Sequence, residues 1–292
     1  MKVNSHASAE SFLSDTRVHL EADEIANGLM LGICDRILKG TEYTQETPCL
    51  KTVNDDGLVM AAVMTPPHNL IVYSHQGDLY RGAGVLIESL VGEGWIVPGV
   101  LGPSEVSQTF AERWTELTGQ GHTHEVRLRL LELREMERPV PDQGSLRQAA
   151  EADIDLAALW RYEFHREIFG ETDQEEMREA TVGRIKAGDI YLWEDGRPVS
   201  MAMKTRPTRK GISVGLVYTP EELRSRGYAT ACVGELSRKL LQQGWEFCAL
   251  FVDVTNVPAL RTYEKVGYRP VCDYDEYVFS DEVEVRDETT ES

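Results

Sequence analysis

The run WEFCALFVDV, from Trp245 to Val254, limits the fold more than any other stretch of the chain. Its apolar positions are too continuous for a strand with one wet face, so it belongs in the middle of a sheet with both faces covered. A helical pattern ends just before it at Gly244, with Val233, Leu236 and Leu240 on one stripe. Another helical pattern follows, with Pro258 near its start and Gly267 at its end. Ahead of the first helix, GISVGLVYT reads as a further strand. This alternation of strands and helices predicts an α/β chain.

The neighbouring segments extend the pattern. SLRQAAEADIDLAALWRYEFHREIFG predicts a short strand, a turn at Asp153 and a helix with Leu156, Leu159, Trp160 and Phe164 on one stripe. DQEEMREATVGRIKAG predicts a helix with acids in its first turn and Gly188 at its end. DIYLWEDGRPVSMAMKTRP predicts a hairpin turning at Asp195-Gly196, and YRPVCDYDEYVF closes with strand alternation.

The first half runs more faintly in the same order. NDDGLVMAAVMTPPHNLIVYS suggests two strands, GDLYRGAGVLIESLVGEGW a helix, IVPGVLG a strand, SEVSQTFAERWTELTG a helix and HEVRLRLLELREM a strand. Setting Glu88–Trp95 under Arg238–Trp245 brings Gly77 under Gly227, Ser74 under Arg224 and Gln76 under Arg226. That is the trace of an internal duplication. The charged stretch LREMERPVPDQGSLRQA separates the halves, giving one domain over 1–140, another over 141–280 and an acidic tail over 281–292.

Composition excludes several function classes. Thirty basic against 49 acidic residues leave a net charge of −19, which repels nucleic acid and anionic lipid. The five cysteines (Cys34, Cys49, Cys232, Cys248 and Cys272) lack C-x-x-C spacing, and two of them sit in apolar periodic segments. No apolar run approaches ~20 residues and no signal-peptide core opens the chain. The expectation is a cytoplasmic protein with neither nucleic acid nor membrane as partner.

The loop after GISVGLVYT raises the functional question. Arg224-Ser225-Arg226-Gly227-Tyr228-Ala229-Thr230 leads into a helix N-terminus, where unpaired N–H groups and roughly half a positive charge attract anions. Two guanidinium groups stand ahead of it, Gly227 lets a phosphate approach the backbone, and Ala229 keeps the next exposed position small. A diphosphate suits this arrangement. An ordinary junction with solvated arginines is the plainer reading of the same residues.

The order Arg-x-x-Gly-x-Ala between strand and helix, then a buried strand, an Asn and a helical Tyr, resembles the GNAT acyltransferase family. Those positions are Arg224, Gly227, Ala229, Asn256 and Tyr263, and YRPVCDY after TYEKVG is similar to the family as well. The resemblance covers about Gly144 to Phe279. It implies a GNAT fold, with a central mixed, mostly antiparallel sheet flanked by helices, in two tandem halves of which the first is degenerate. It also implies acetyl-CoA or another acyl-CoA as cosubstrate, and no metal.

By that resemblance, the amides of Arg226, Gly227, Tyr228, Ala229 and Thr230 wrap the CoA pyrophosphate, with Arg224 opening the loop. The backbone near Val217 pairs with the pantetheine arm as an added strand would. The Asn256 equivalent touches the pantetheine, and the Tyr263 equivalent protonates the leaving thiolate.

A phenol titrates far above neutrality and so retains the proton this role requires. Leu260, Tyr263 and Val266 also share one helical face, which suits core packing. The general base is less defined, because GISVGLVYT has no carboxylate. Glu163 and His165 are either bases or solvent-facing helix residues. In the first half, the register opposite Tyr263 falls among Arg113, Trp114 and Thr115.

Other constellations are thinner. RGAGVLIE has Gly82 and Gly84 without a third glycine, and His122 and His124 lack a third metal ligand. KTRPTRKG gathers four basic residues at a hairpin tip. The expected reaction is direct transfer of an acetyl or related acyl group from CoA to a small-molecule or peptide amine, with a homodimer left open. A non-catalytic acyl-CoA-binding sensor or scaffold is the alternative, and O-acylation a third reading.

Overall fold

The computed structural model describes residues 1–40, 46–136, 144–170 and 173–281. The expected boundary at 140 and the tail past Asp281 lie outside the described residues. The chain divides into two compact units, Met1–Arg129 with Cys272–Ser292, and Leu130–Val271.

Both halves of the chain repeat one order of elements. The first runs β1 (Lys2–Ser5), α1 (Ala9–Ala22), α2 (Gly28–Lys39), β2 (Cys49–Asn54), β3 (Leu58–Met64), β4 (Leu70–Ser74), α3 (Leu79–Gly92), β5 (Gly99–Pro103), α4 (Ser104–Thr118) and β6 (Gly121–Leu133). The second runs β7 (Ser145–Gln148), α5 (Ile154–Phe169), α6 (Gln174–Lys186), β8 (Ile190–Glu194), β9 (Pro198–Thr205), β10 (Gly211–Tyr218), α7 (Tyr228–Gln242), β11 (Phe247–Asp253), α8 (Val257–Val266) and β12 (Arg269–Ser280). The duplication traced between α3 and α7 therefore extends over all ten elements of each half. No helix among the described residues is long and apolar enough to cross a membrane.

In the first unit, β1 to β4 pair antiparallel in sequence order and β4 pairs parallel with β5. The next strand comes from the far end of the chain: β12 lies antiparallel on β5, from Tyr274 opposite Pro103 to Val278 opposite Gly99. Gly99 permits this approach, since a Cβ there would lie 2.2 Å from the Tyr277 carbonyl oxygen. β3 is buried along its whole length because helices cover both of its faces. Met60, Ala62 and Met64 meet Leu86, Ile87 and Phe110 on one side, and Leu58, Ala61 and Val63 meet Phe12, Leu20 and Met30 on the other.

The fully buried Asp275 fixes β12 in place. Its carboxylate accepts Arg127 Nε and Nη2 at 2.7 and 2.9 Å and His124 Nε2 at 2.9 Å. Burial pushes this carboxyl upward, but its bonds to Arg127 and His124 outweigh that and bring it down to about 2. A depressed carboxylate pKa stabilises the fold above the unfolded value near 3.8, and that stability is lost as pH falls toward 2. Urea denaturation of wild type and Asp275→Asn is expected to give midpoints that converge over this window. A difference that does not shrink on acidification would contradict the assignment.

In the second unit, β7 to β10 are antiparallel neighbours and β10 pairs parallel with β11. Phe247, Cys248, Ala249, Leu250 and Val252 are buried, as the apolar run requires. Val233, Leu236 and Leu240 of α7 pack against β11, with Tyr263 and Val266 of α8 in the same cluster. The stripe expected on α5 needs correction: Leu159 is 41% exposed, while Ala157, Ala158, Trp160 and Arg161 face inward. The buried face is therefore set by small residues and one indole, which allow α5 to lie close to the sheet. None of the five cysteines forms a disulfide, and burial lifts the Cys49, Cys232 and Cys248 thiols to about 12. They behave as small hydrophobes.

Candidate functional site

The site is built where β10 and β11 part. Their pairing runs through Gly211–Phe247, Ile212–Cys248 and Ser213–Ala249 and then stops, although both strands continue. Gly211 begins this paired segment because a Cβ there would strike the Phe247 ring at 2.0 Å. On its other edge β10 bulges against β9, since register passes from Gly215–Met203 directly to Tyr218–Met201. Leu216 takes a φ of +50° within the bulge, a costly value for a branched side chain and a mark of a constrained segment. Val217, half-buried beside Leu216, thus carries backbone with no register partner on either neighbouring strand.

A short 3₁₀ turn, Glu221–Leu223, carries the chain to the loop. Ser225 and Gly227 both adopt left-handed backbone, at φ +62° and +83°. Gly227 is the N-cap of α7 and offers no side chain, and a Cβ at that position would meet nothing within 4 Å. By contrast Ser8, Asp78, Asp173 and Asn256 cap α1, α3, α6 and α8 with side-chain oxygens. The first α7 amide to find a carbonyl is that of Ala231, bonded to Gly227 at 3.0 Å. Among the described residues, no acceptor faces the amides of Gly227, Tyr228, Ala229 and Thr230. Tyr228, Ala229 and Thr230 are half-exposed, so these donors open outward with the positive end of the helix dipole.

The two arginines behave differently from simple phosphate ligands. Arg224 gives Nε to the Thr219 carbonyl at 2.9 Å and Nη2 to both Glu167 oxygens at 2.7 and 2.9 Å. Arg226 gives Nη2 to the Glu222 carbonyl at 3.0 Å and is otherwise exposed. The Tyr228 hydroxyl donates to Asp195 at 2.8 Å, tying the start of α7 to the β8–β9 turn.

Tyr263 lies on α8 and is 8% exposed, its ring edge-on to Tyr268 at 6.0 Å. Its hydroxyl has no hydrogen-bond partner among the described residues, whereas the Tyr268 hydroxyl is bonded to Ser237 at 2.8 Å. Burial pushes Tyr263 up to about 12. Core packing and an available phenolic proton are thus properties of the same side chain. Asn256 spends its Oδ1 on the Ala259 amide at 3.1 Å as the cap of α8, while its exposed Nδ2 has no partner among the described residues.

Glu163 and His165 are not plain solvent-facing positions. Glu163 accepts the Tyr218 hydroxyl at 2.6 Å, and burial followed by the Arg161 charge lowers the His165 pKa, against an opposing pull from Glu176. An imidazole that titrates below 6.5 is neutral at pH 7, the form a base needs. Its unfolded state takes the proton first on acidification, so His165 withdraws stability as pH falls below that value. A ¹H–¹⁵N titration is expected to place its midpoint below 6.5; a midpoint above that value contradicts the burial argument.

Sequence reasoning missed Tyr218 and Glu167. Glu167 stands one helical turn after Glu163, so spacing alone puts those two carboxylates on one face, while nothing in the spacing marks Tyr218 at the end of its strand. The loop's partners across space gave no such signal. At the hairpin tip, Lys204 pairs with Asp189 and Lys210 with Glu246. Gly82 and Gly84 lie inside α3, where added Cβ atoms would meet Val59 at 3.0 Å and Arg113 at 3.1 Å, so they serve packing. His122 bonds Thr115 and His124 bonds Asp275, and among the described residues no three His, Cys, Asp or Glu side chains are grouped to hold a metal.

The first half lacks this loop. β4 ends at Ser74 and α3 begins at Leu79, against Tyr218 and Tyr228 in the second half. Ser74, aligned with Arg224, is a strand residue bonded to the Val59 carbonyl. The Asp78 carboxylate occupies the α3 N-terminus by accepting the Arg81 amide at 3.0 Å, which fills the place an anion would take.

Comparison with known proteins agrees with this geometry. Residues 155–268 match the family model described as Acetyltransferase (GNAT) family. No curated protein matches the chain in sequence. Among solved structures, a GCN5-related N-acetyltransferase from Sphaerobacter thermophilus is similar at TM-score 0.62 and 21% identity, covering 94% of each chain. An acetyltransferase of the GNAT family from Colwellia psychrerythraea aligns over 96% of this chain and 100% of its own, at TM-score 0.59 and 13% identity. A tandem GNAT protein from the clavulanic acid biosynthesis pathway covers 96% and 98%, at TM-score 0.56 and 12% identity. The chain folds as two tandem GNAT-like halves, and its residues 155–268 match the GNAT acetyltransferase family model.

Proposed function

We propose that the second half binds acetyl-CoA or a related acyl-CoA and transfers the acyl group directly to an amine. The reading rests on one observation above others: four outward amides at an uncapped helix N-terminus, beside a strand pair that opens after Ser213–Ala249. The diphosphate sits on the amides of Gly227 to Thr230, with the Arg226 amide contributing from the loop. The pantetheine lies along the unpaired backbone near Val217, and the Nδ2 of Asn256 donates to it. The amine attacks the thioester carbonyl as a neutral nucleophile, and its proton leaves through Glu163 or His165 on α5. As the C–S bond breaks, Tyr263 donates its proton to the thiolate.

The first half binds no CoA, because Asp78 already serves the α3 amides. The net charge of −19 steers cationic acceptors such as polyamines or lysine side chains toward the protein. Calorimetric titration with CoA and acetyl-CoA, followed by a thiol-release screen of amines, tests the proposal. Saturable binding with amine-dependent thiol release supports it. Binding without release from any amine favours the sensor or scaffold reading.

A further inference from the structure

The proposed chemistry gives no role to the side chains of Tyr218, Arg224 and Glu167, which form a connected set with the candidate base Glu163. Glu163 and Glu167 stand one turn apart on α5. Glu163 takes the hydroxyl of Tyr218 at 2.6 Å. Glu167 takes Arg224 Nη2 on both oxygens at 2.7 and 2.9 Å, and the same guanidinium lies 5.8 Å from the centre of the Tyr218 ring. Through Nε, Arg224 also holds the Thr219 carbonyl at 2.9 Å, closing the segment that leads out of β10.

Two features of this set need a cause. The first is Glu167 itself, a carboxylate joined to the opening residue of a loop meant for a diphosphate. By charge alone it works against the ligand. The second is the loop backbone, which places two left-handed residues, Ser225 and Gly227, on either side of Arg226, outside any helix or strand. Such a segment has many alternative conformations, and a binder that must first order it loses affinity.

We infer that Glu167 and Arg224 form a latch, two positioning residues that hold the diphosphate loop in its binding shape against α5. The inference rests on the CoA reading and assigns Arg224 a role different from direct contact with phosphate. It also ties the loop to the helix that carries Glu163 and His165, so the cofactor loop and the candidate base share one support.

The latch and a direct phosphate contact predict opposite signs for one substitution. Removing the Glu167 charge frees Arg224 and reduces repulsion, so if Arg224 were a phosphate ligand, Glu167→Gln would bind CoA more tightly. The latch predicts weaker binding by about three- to five-fold, the scale of a half-exposed ion pair. The double variant Glu167→Gln/Arg224→Gln is expected to bind no worse than Arg224→Gln alone, within about two-fold. Arg224→Lys, which keeps the charge but lacks the fork, is expected to weaken CoA binding as Arg224→Gln does. Saturating acyl-CoA restores kcat in all four variants, because the effect lies in binding.

Calorimetry with CoA on the full chain, with melting curves to confirm folding, reads each of these. Unchanged or tighter binding by Glu167→Gln, or full affinity in Arg224→Lys, overturns the latch while leaving the CoA reading intact. A wild-type chain that binds no CoA overturns both.

Discussion

Tyr263→Phe is expected to lower kcat by roughly 10²- to 10³-fold while leaving the Kd for CoA within about two-fold. The argument begins with packing. The ring fills a cluster with Tyr268, Val266 and Leu236, and phenylalanine keeps that ring. Only the hydroxyl is lost, and it has no hydrogen-bond partner among the described residues, so no protein group is orphaned. The hydroxyl oxygen is not sealed from solvent and leaves no partner behind, so the variant is expected to melt at about the same temperature as wild type. A structural tyrosine would show the reverse, a lower melting point with activity scaled to the folded fraction.

Burial holds this phenol at about 12, so its ionisation takes no rate away at neutral or mildly alkaline pH. Any basic limb below about pH 10 then belongs to another group. Activity within two-fold of wild type would remove Tyr263 from the chemistry and favour the acyl-CoA sensor.

The second large effect is at Gly227. Gly227→Asp places a carboxylate at the uncapped start of α7, copying what Asp78 does for α3. A negative charge ~5 Å from a bound diphosphate costs about 3 kcal/mol at an effective dielectric of about 20, or roughly 10²-fold in affinity. The left-handed φ of +83° is tolerated by aspartate better than by most residues, and the space around the new Cβ is open. The fold is therefore expected to survive. Affinity for a fragment without phosphates, such as pantetheine, is expected to be unchanged. Equal loss for CoA and pantetheine would mean that the substitution disrupts the loop and says nothing about the anion.

The second half was legible because its signals are local. Gly244 and Gly267 stop helices, Asp195-Gly196 turns a hairpin, and a continuous apolar run marks β11, each within a few residues. The opening of the first half was not read. β1 has only four residues, and the twelve-residue α2 lacks a side-chain cap at Asn27. Leu159 was misplaced because a stripe drawn through large apolar residues ignored the alanines that let α5 approach the sheet.

The site shows the same division. Gly227, Asn256 and Tyr263 could be singled out by their order along the chain. The engagement of Arg224 by Glu167 could not, since 57 residues separate them and only the fold brings them together. The alignment of Ser74 with Arg224 failed for a related reason. A shorter connection before α3 leaves no loop there, and a gapless register cannot express that.

The most direct test of the account follows the backbone amides of the α7 N-terminus by ¹H–¹⁵N correlation spectroscopy during titration with CoA and, separately, pantetheine. The account predicts that the Gly227, Tyr228, Ala229 and Thr230 signals move strongly with CoA and little with pantetheine. CoA binding that leaves those four signals in place would contradict it.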